Sequence, residues 1–444
     1  MDKLRVASVG CGPRGHAHMN AMRNCGAVEL VAACDIHEDR VRAAGAKFQV
    51  PKLYRDMGEM IRREQPELVD IVTPPTIRVG IVEAAILAGA KNVLIEKPIA
   101  LRPAESHRLV ELGRQAFIGV NTQYQWMPHW QRFWGLISDG QLGEVRTIRC
   151  STRTNILEQG PHVLDLALRA AAAGGLPEPQ WVLAAAAGVE RFGTTPVPAD
   201  VAATIGLGPA RLFWNQGPSA PDVPGETVFW YHIQVEVVGS RGKLWVSLNK
   251  GWELWVEGRP VERGDTAWPR DDGVAQAALF VELRDTIRAG TTADFPTRID
   301  VAARNSDLMF ACYASALGNG RLPLPAKVDD WVVDQVAVLG RSTSRTCERS
   351  APSTQWGRSL PPLPRLPRAC RGVPRGGGWG EGSSSDLRIE IRGLKCGMAH
   401  SCSSRRTNLP RPRPLRATTT SGNWPTSWRR TTPSARCAGI TCAP

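Results

Sequence analysis

The 444-residue chain has no apolar run long enough to span a bilayer. Its richest stretch, residues 167–187, is broken by Arg169, by Gly174-Gly175 and by Pro177-Glu178-Pro179, whereas a spanning helix needs about 20 mostly apolar residues in a row. Met1-Asp2-Lys3 runs directly into a strand-like segment, so no secretory leader is expected. Up to residue 340 there is no paired C-x-x-C spacing: Cys11, Cys25, Cys34, Cys150 and Cys312 stand apart, and six more cysteines follow from Cys347 on. No metal site is expected, and a reducing, cytoplasmic setting is. Positive charge is also missing where a nucleic-acid reader would need it. The formal net charge is +13, but residues 341–444 hold 19 Lys+Arg against 4 Asp+Glu, a net +15. Residues 1–340 hold 36 basic against 38 acidic residues, a net −2. Nucleic-acid attraction needs clustered positive charge, so neither nucleic acid nor membrane is an expected partner.

What is present begins at Leu4. Leu4-Arg5-Val6-Ala7-Ser8-Val9 has strand character and breaks into Gly10-Cys11-Gly12-Pro13-Arg14-Gly15. A helical pattern follows, then the apolar run Val28-Glu29-Leu30-Val31-Ala32-Ala33-Cys34, which ends on Asp35. Strand, glycine turn, helix, strand and acidic residue form a dinucleotide-binding fingerprint. Gly10 permits the tight turn, Gly12 lets backbone approach a pyrophosphate, and Gly15 lets the helix pack close to the strand. The helix start offers unpaired N–H groups to phosphate. Pro13 suits a first helical position, where an N–H would have no intrahelical acceptor. Asp35 is placed to accept a ribose 2′-hydroxyl, which favours NAD, with NADP the second option through His37 and Arg40.

Strands and helices alternate to about residue 119. Helices are expected over 39–46, 57–64, 79–87 and 104–114, and strands over 68–73, 92–95 and 117–120. This spacing implies a doubly wound parallel sheet. Gly10, Asp35, Thr73 and Glu96 each end or follow a strand, so they should ring one cleft. After Trp126 the style changes. Helices over 130–137 and 160–171 flank a strand over 145–150, and strands follow over 181–186, 200–207, 210–215, 229–238, 242–248 and 252–256. Helices over 274–288 and 299–317 close the unit. This is an α+β arrangement with a largely antiparallel open sheet. The expected organisation is a nucleotide-binding domain over 1–122, a substrate-binding and oligomerisation domain over 123–330, and a disordered or aberrant tail over 340–444. That tail has 18 Arg against one Lys, with Pro-, Gly- and Ser/Thr-rich patches. Such a bias also fits an out-of-frame reading of a GC-rich message.

Two clusters carry chemistry. Glu96-Lys97-Pro98 follows a buried strand at the cofactor cleft, where a lysine can polarise an oxygen or donate a proton. Glu158-Gln159-Gly160-Pro161-His162-Val163-Leu164-Asp165 opens a helix. His162 falls in its first turn, and the helix start favours the neutral ring that accepts a proton. His162 and Asp165, three apart, share a helix face. Asp165 is placed to orient that ring or to bind a substrate hydroxyl, and Glu158 to add a carboxylate.

With these motifs together, the chain resembles the glucose–fructose oxidoreductase / inositol dehydrogenase / rhizopine-catabolism (Gfo/Idh/MocA) family over about residues 4–325. Gly10 to His16 resembles its nucleotide loop, Thr73-Pro74-Pro75 its Thr-Pro element, Glu96-Lys97-Pro98 its Glu-Lys-Pro signature, and Gly160-Pro161-His162 with Asp165 its Gly-x-His-x-x-Asp motif. The resemblance implies that Lys97 contacts nicotinamide and the reacting hydroxyl, that His162 is the acid/base, and that Glu158 assists it. Gly10, Gly12, Pro13, Arg14, Gly15, Asp35, Thr73, Pro74, Glu96 and Lys97 would hold the cofactor. Lys97, Tyr124, His162 and Asp165 would meet a sugar-like substrate. It also implies a dimer or tetramer through the open sheet. Members usually carry a histidine where Arg78 stands and an arginine near Gln125. The implied activity is NAD-dependent oxidation of a sugar or polyol CH–OH. The alternatives are a redox-neutral lyase or glycosidase of the same family, and a non-catalytic nucleotide-binding sensor.

Overall fold

A computed structural model describes residues 2–338. The tail over 340–444 lies outside the described residues. β1 (Leu4–Val9) runs into α1 (Pro13–Cys25), and β2 (Val28–Cys34) into α2 (Glu38–Phe48). A two-residue strand, β3 (Leu53–Tyr54), precedes α3 (Met57–Glu64). There follow β4 (Leu68–Ile71), α4 (Pro75–Leu87), β5 (Asn92–Glu96), α5 (Pro103–Leu112) and β6 (Phe117–Asn121). The six strands pair in parallel in the order β3-β2-β1-β4-β5-β6. The order reverses between β1 and β4, and a crevice opens beyond their carboxyl ends, where such sheets bind ligands. β4 and β6 are buried at every residue, which is why they read as unbroken runs rather than alternating ones. One residue breaks the apolar rule: Asp70, in the middle of β4, is 0% exposed.

A single turn of 3-10 helix, Gln123–Trp126, leads into α6 (Pro128–Ser138), β7 (Val145–Thr152) and α7 (Gly160–Ala173). β8 (Trp181–Ala187) is followed by a small hairpin, β9 (Glu190–Phe192) and β10 (Thr195–Val197). Then come β11 (Asp200–Leu207), β12 (Ala210–Gln216), β13 (Ile233–Gly239), β14 (Gly242–Ser247), β15 (Trp252–Val256) and β16 (Glu262–Gly264). α8 (Trp268–Ala289), α9 (Ile299–Gly318) and β17 (Leu322–Pro323) complete the described elements, with residues 332–338 helical after them.

Nine of these strands form one sheet, ordered β16-β15-β14-β13-β7-β12-β11-β8-β17. Every pair is antiparallel except β12 with β7. Burial alternates along β12, because one face lies on α7 and α9 and the other is open. The open face carries Arg149 and Lys243 paired to Glu236 at 2.5 and 3.4 Å, beside exposed Trp255. α8 and α9 return to the parallel sheet: α8 lies on α1 and the 3-10 turn, α9 on α5 and β6. Among the described residues no helix is long and apolar enough to cross a membrane.

The doubly wound sheet and the largely antiparallel second sheet are as the sequence predicts. Some boundaries differ. α4 starts at Pro75 rather than at 79, because a proline fits the first turn of a helix. α8 starts at Trp268 rather than at 274. Pro269 sits in its first turn, and the Asp271 carboxylate accepts the N–H of Ala267 at 2.9 Å. Phe229–Tyr231, expected to open a strand, forms a short 3-10 turn instead, and β13 begins only at Ile233.

Candidate functional site

The glycine loop shows three distinct reasons for its glycines. Gly10 has φ of 99°, and a Cβ there would lie 2.3 Å from the carbonyl oxygen of Val72. A Cβ on Gly15 would lie 2.0 Å from the carbonyl oxygen of Gly10. Both are required by the fold. Gly12, at the cap of α1, faces open space. No acidic residue occupies the first turn of α1, and no side chain caps it. That cradle fits a pyrophosphate. Asp35 stands beside it at the end of β2, 8% exposed. Its carboxylate accepts the backbone N–H of Cys11 at 2.8 Å and of His37 at 2.9 Å.

Two loops bearing site residues are tied by a buried cation. Arg78, 1% exposed on α4, donates to the carbonyl oxygens of Thr73 and Pro98. Burial pushes its guanidinium down to about 10. Arg78 thus links the turn after β4 to the turn after β5. Lys97 is partly buried between them, and its Nζ donates to the carbonyl oxygen of Glu158 at 2.6 Å. Burial lowers its pKa against the opposing pull of Glu96.

His162 is 2% exposed in the first turn of α7 and stacks on Tyr124 with ring centroids 4.1 Å apart. Its Nδ1 is buried with no partner. Burial, followed by the positive charge of Lys97, holds the ring well below the usual histidine range, so it is neutral and able to take a proton. Tyr124 is fixed in turn by Trp268 Nε1, which donates to its hydroxyl at 3.1 Å. Asp165 makes no hydrogen bond to the His162 ring, although the two share a helix face. Its carboxylate accepts from Thr122 at 3.1 Å, Gln125 at 2.7 Å and Asn305 at 3.4 Å. Gln125 accepts from Arg169 at 2.6 Å. Burial raises Asp165 to about 6. The Glu158 carboxyl is raised by burial, and its backbone rather than its side chain meets Lys97. A small cleft joins Lys97, Thr122, Pro161, Asp165, Thr297 and Asn305.

Arg14 and Glu96 turn inward. Arg14 Nε donates to Glu96 Oε1 at 2.8 Å and its Nη2 to Gln276 at 3.2 Å, with Asp272 at 3.9 Å. Glu96, 5% exposed, also meets His18 Nε2 at 2.8 Å and Asn121 Nδ2 at 2.7 Å. The other His18 nitrogen lies 3.0 Å from Asp70. His18, Asp70, Asn121, Asp272 and Gln276 were not singled out from the sequence. A signal existed for one of them, since an aspartate inside a buried strand requires a partner.

Residues 4–119 match the Gfo/Idh/MocA family model, described as an oxidoreductase family with an NAD-binding Rossmann fold. The motif resemblance therefore holds for the parallel-sheet unit. D-apiose dehydrogenase of Paraburkholderia graminis is 34% identical over 156 residues, covering 35% of this chain and 41% of that protein. Myo-inositol 2-dehydrogenase of Thermotoga maritima is 26% identical over 154 residues, covering 34% and 45%. The chain thus spans less than half the length of these curated relatives. An oxidoreductase from Agrobacterium radiobacter, solved with NAD+, L-tartaric acid and magnesium, superposes with a TM-score of 0.62 at 18% identity. That superposition covers 72% of this chain and 98% of the other, so the shared fold extends through the second sheet.

Two outcomes are expected from this geometry. Gly12→Val should fold with a near wild-type melting temperature yet lose NAD binding in a fluorescence titration, whereas Gly15→Val should fail to fold stably. Equal NAD binding by Gly12→Val and wild type would remove the loop from the cofactor site. The second concerns pH. Burial opposes protonation of His18, but the charge and hydrogen bond of Asp70, with the Glu96 bond, raise it to about 9. A histidine raised above its ordinary 6.5 adds stability that is complete below pH 6.5 and is lost as pH rises through 9. The unfolding free energy from urea titration should fall over that window, by an amount on the order of 3 kcal/mol at most. His18→Asn should flatten the slope, and an unchanged slope would show that His18 does not titrate there.

Proposed function

We propose that this protein is an NAD-dependent oxidoreductase that acts on a CH–OH group of a sugar, polyol or related hydroxy compound. The observation that carries the reading is the reach of Lys97. Its Nζ crosses from the cofactor-side turn after β5 to the Glu158 carbonyl, four residues before the buried neutral ring of His162. A cation and a proton acceptor so placed suit an alcohol between them. The names of the relatives, D-apiose dehydrogenase and myo-inositol 2-dehydrogenase, support a polyhydroxylated substrate.

The residues divide the work as follows. Gly10, Gly12, Pro13, Arg14 and Gly15 shape the loop for the pyrophosphate. Asp35 would receive the ribose, and Thr73 and Pro74 would border the nicotinamide end, where Glu96 fixes the chain that carries Lys97. When bound, NAD supplies the hydride acceptor. Lys97 holds and polarises the substrate oxygen. His162 removes the hydroxyl proton, with its ring plane set by Tyr124. Asp165, held by Thr122 and Gln125, lines the cleft wall for a neighbouring hydroxyl, and Glu158 adds a second carboxylate at the rim. Residues 1–122 thus serve the cofactor and 123–330 the substrate. The open face around Glu236 and Trp255 would join copies into a dimer or tetramer. The five cysteines among the described residues are free, which fits a reducing cytoplasm.

Lys97→Ala and His162→Ala should each lower kcat by about 10²–10⁴-fold, the range of a positioned acid/base group, with NAD binding retained. The assay is NADH absorbance with a panel of polyols and aldoses. Wild-type turnover by either variant would sink the assignment. A wild-type protein that binds NAD but reduces none with any panel member would favour the redox-neutral or sensor alternatives. The second expected outcome is cofactor choice. A carboxylate at the ribose repels a 2′-phosphate, so NAD should bind more tightly than NADP by about 10-fold or more, 1.4 kcal/mol being tenfold. Tighter NADP binding would refute the role of Asp35.

A further inference from the structure

We propose that His18 is a positioning residue for Lys97 and acts through Glu96. The inference rests on the reading of Lys97 as the substrate-facing lysine. His18 lies in the second turn of α1 and is 0% exposed. Its two ring nitrogens face two carboxylates from different strands: Nδ1 is 3.0 Å from Asp70 Oδ1 on β4, and Nε2 is 2.8 Å from Glu96 Oε1 on β5. A neutral imidazole has one N–H and cannot donate to both, whereas an imidazolium can, with the Asn121 amide, whose Nδ2 lies 2.8 Å from Nε2, donating to Glu96 Oε1 and not to the ring. The charged groups facing the ring are Asp70, Glu96 and Arg14, while Phe280 of α8 meets it edge-on at 6.3 Å.

Glu96 divides its two oxygens. Oε1 receives His18, Arg14 Nε and Asn121 Nδ2. Oε2 receives the backbone N–H of Lys97 at 3.1 Å. A carboxylate pinned through one oxygen therefore holds, with the other, the chain at the root of the Lys97 side chain. Loss of the His18 donor leaves Glu96 Oε1 to Asn121 and to the partly exposed Arg14, so the carboxylate is held less firmly and the Lys97 backbone anchor loosens. A displacement of about 1 Å in a reacting group costs about 10²-fold in rate.

The two amide replacements separate this role from a purely structural one. The side-chain NH₂ of asparagine falls near the place of Nδ1, and that of glutamine near Nε2. His18→Asn keeps a donor for Asp70 and loses the one to Glu96, and His18→Gln does the reverse. His18→Asn should lower kcat by roughly 30-fold or more with the NAD Kd within about threefold, and His18→Gln should recover at least about tenfold of that loss. Equal losses in the two variants, or wild-type kcat in His18→Asn, would overturn the proposal. A substrate-free readout separates its failure from failure of the dehydrogenase reading. After reductive ¹³C-methylation, the Lys97 signal should titrate differently in His18→Asn from wild type, and near wild type in His18→Gln. An unchanged titration in His18→Asn overturns the proposal. If neither variant folds, ¹⁵N-histidine spectra of the wild type decide: protonation of both His18 nitrogens at pH 7 supports it, and a neutral tautomer overturns it.

Discussion

A carboxylate cannot be carried out of water uncompensated, and Glu96 is where this fold meets that constraint. It stands at the carboxyl end of β5, 5% exposed, where a doubly wound sheet opens onto its ligand crevice. Four groups supply what water would have given. α1 brings Arg14 and His18, β6 brings Asn121, and the Lys97 backbone closes the shell. His18 then carries a second carboxylate, Asp70, which in turn accepts from Ser8 on β1 at 3.3 Å. Such clusters add little net stability compared with an apolar replacement, but removing one member typically costs about 3–5 kcal/mol. Their effect is to fix one arrangement. Here the arrangement fixed is the relation of the glycine-loop helix to the strand end that carries Lys97.

The charges around Lys97 follow from the same constraint. Burial, and then Arg14 and Arg78, disfavour its protonated form, whereas Glu96 and Glu158 favour it. The result is a lysine shifted below its ordinary value beside a histidine shifted below its own. Neither shift needs a special residue type. Both come from placing basic groups in a partly dry cleft crowded with other cations. Arg78 is 1% exposed on α4. It is spent on the carbonyl oxygens of Thr73 and Pro98, so it organises the rim of the cleft without facing it.

Much of this was legible in the chain. The loop Gly10 to Gly15 could be read because each glycine answers a local need, and local needs leave local spacing. Buried strands such as β6 showed as apolar runs, and Gly160-Pro161-His162 announced a helix start. The His18 cluster was not legible, because its members are 52 and 78 residues apart and no periodicity encodes contacts across a sheet. Only Asp70 broke its local pattern. The start of α8 was hidden for another reason: Pro269, three charged residues and Gly273 look like a loop. Phe229–Tyr231 failed in the opposite direction, since an aromatic triplet suits a strand as well as it suits a turn.

That hidden stretch of α8 matters for how the two sheets work together. Gln276 meets both Arg14 and Asn121, and Asp272 accepts from Gln123 at 2.6 Å while lying 3.9 Å from Arg14. Trp268, at the helix start, fixes the hydroxyl of the tyrosine that stacks on His162. One helix therefore touches the helix that caps the glycine loop and the ring that sets the candidate base. A shift of α8 would move both, and a shift of α1 would be felt by α8 through buried polar contacts that have no solvent to replace them. Of the charged residues that disguised this segment as a loop, Asp272 is the one that reaches both the 3-10 turn and α1.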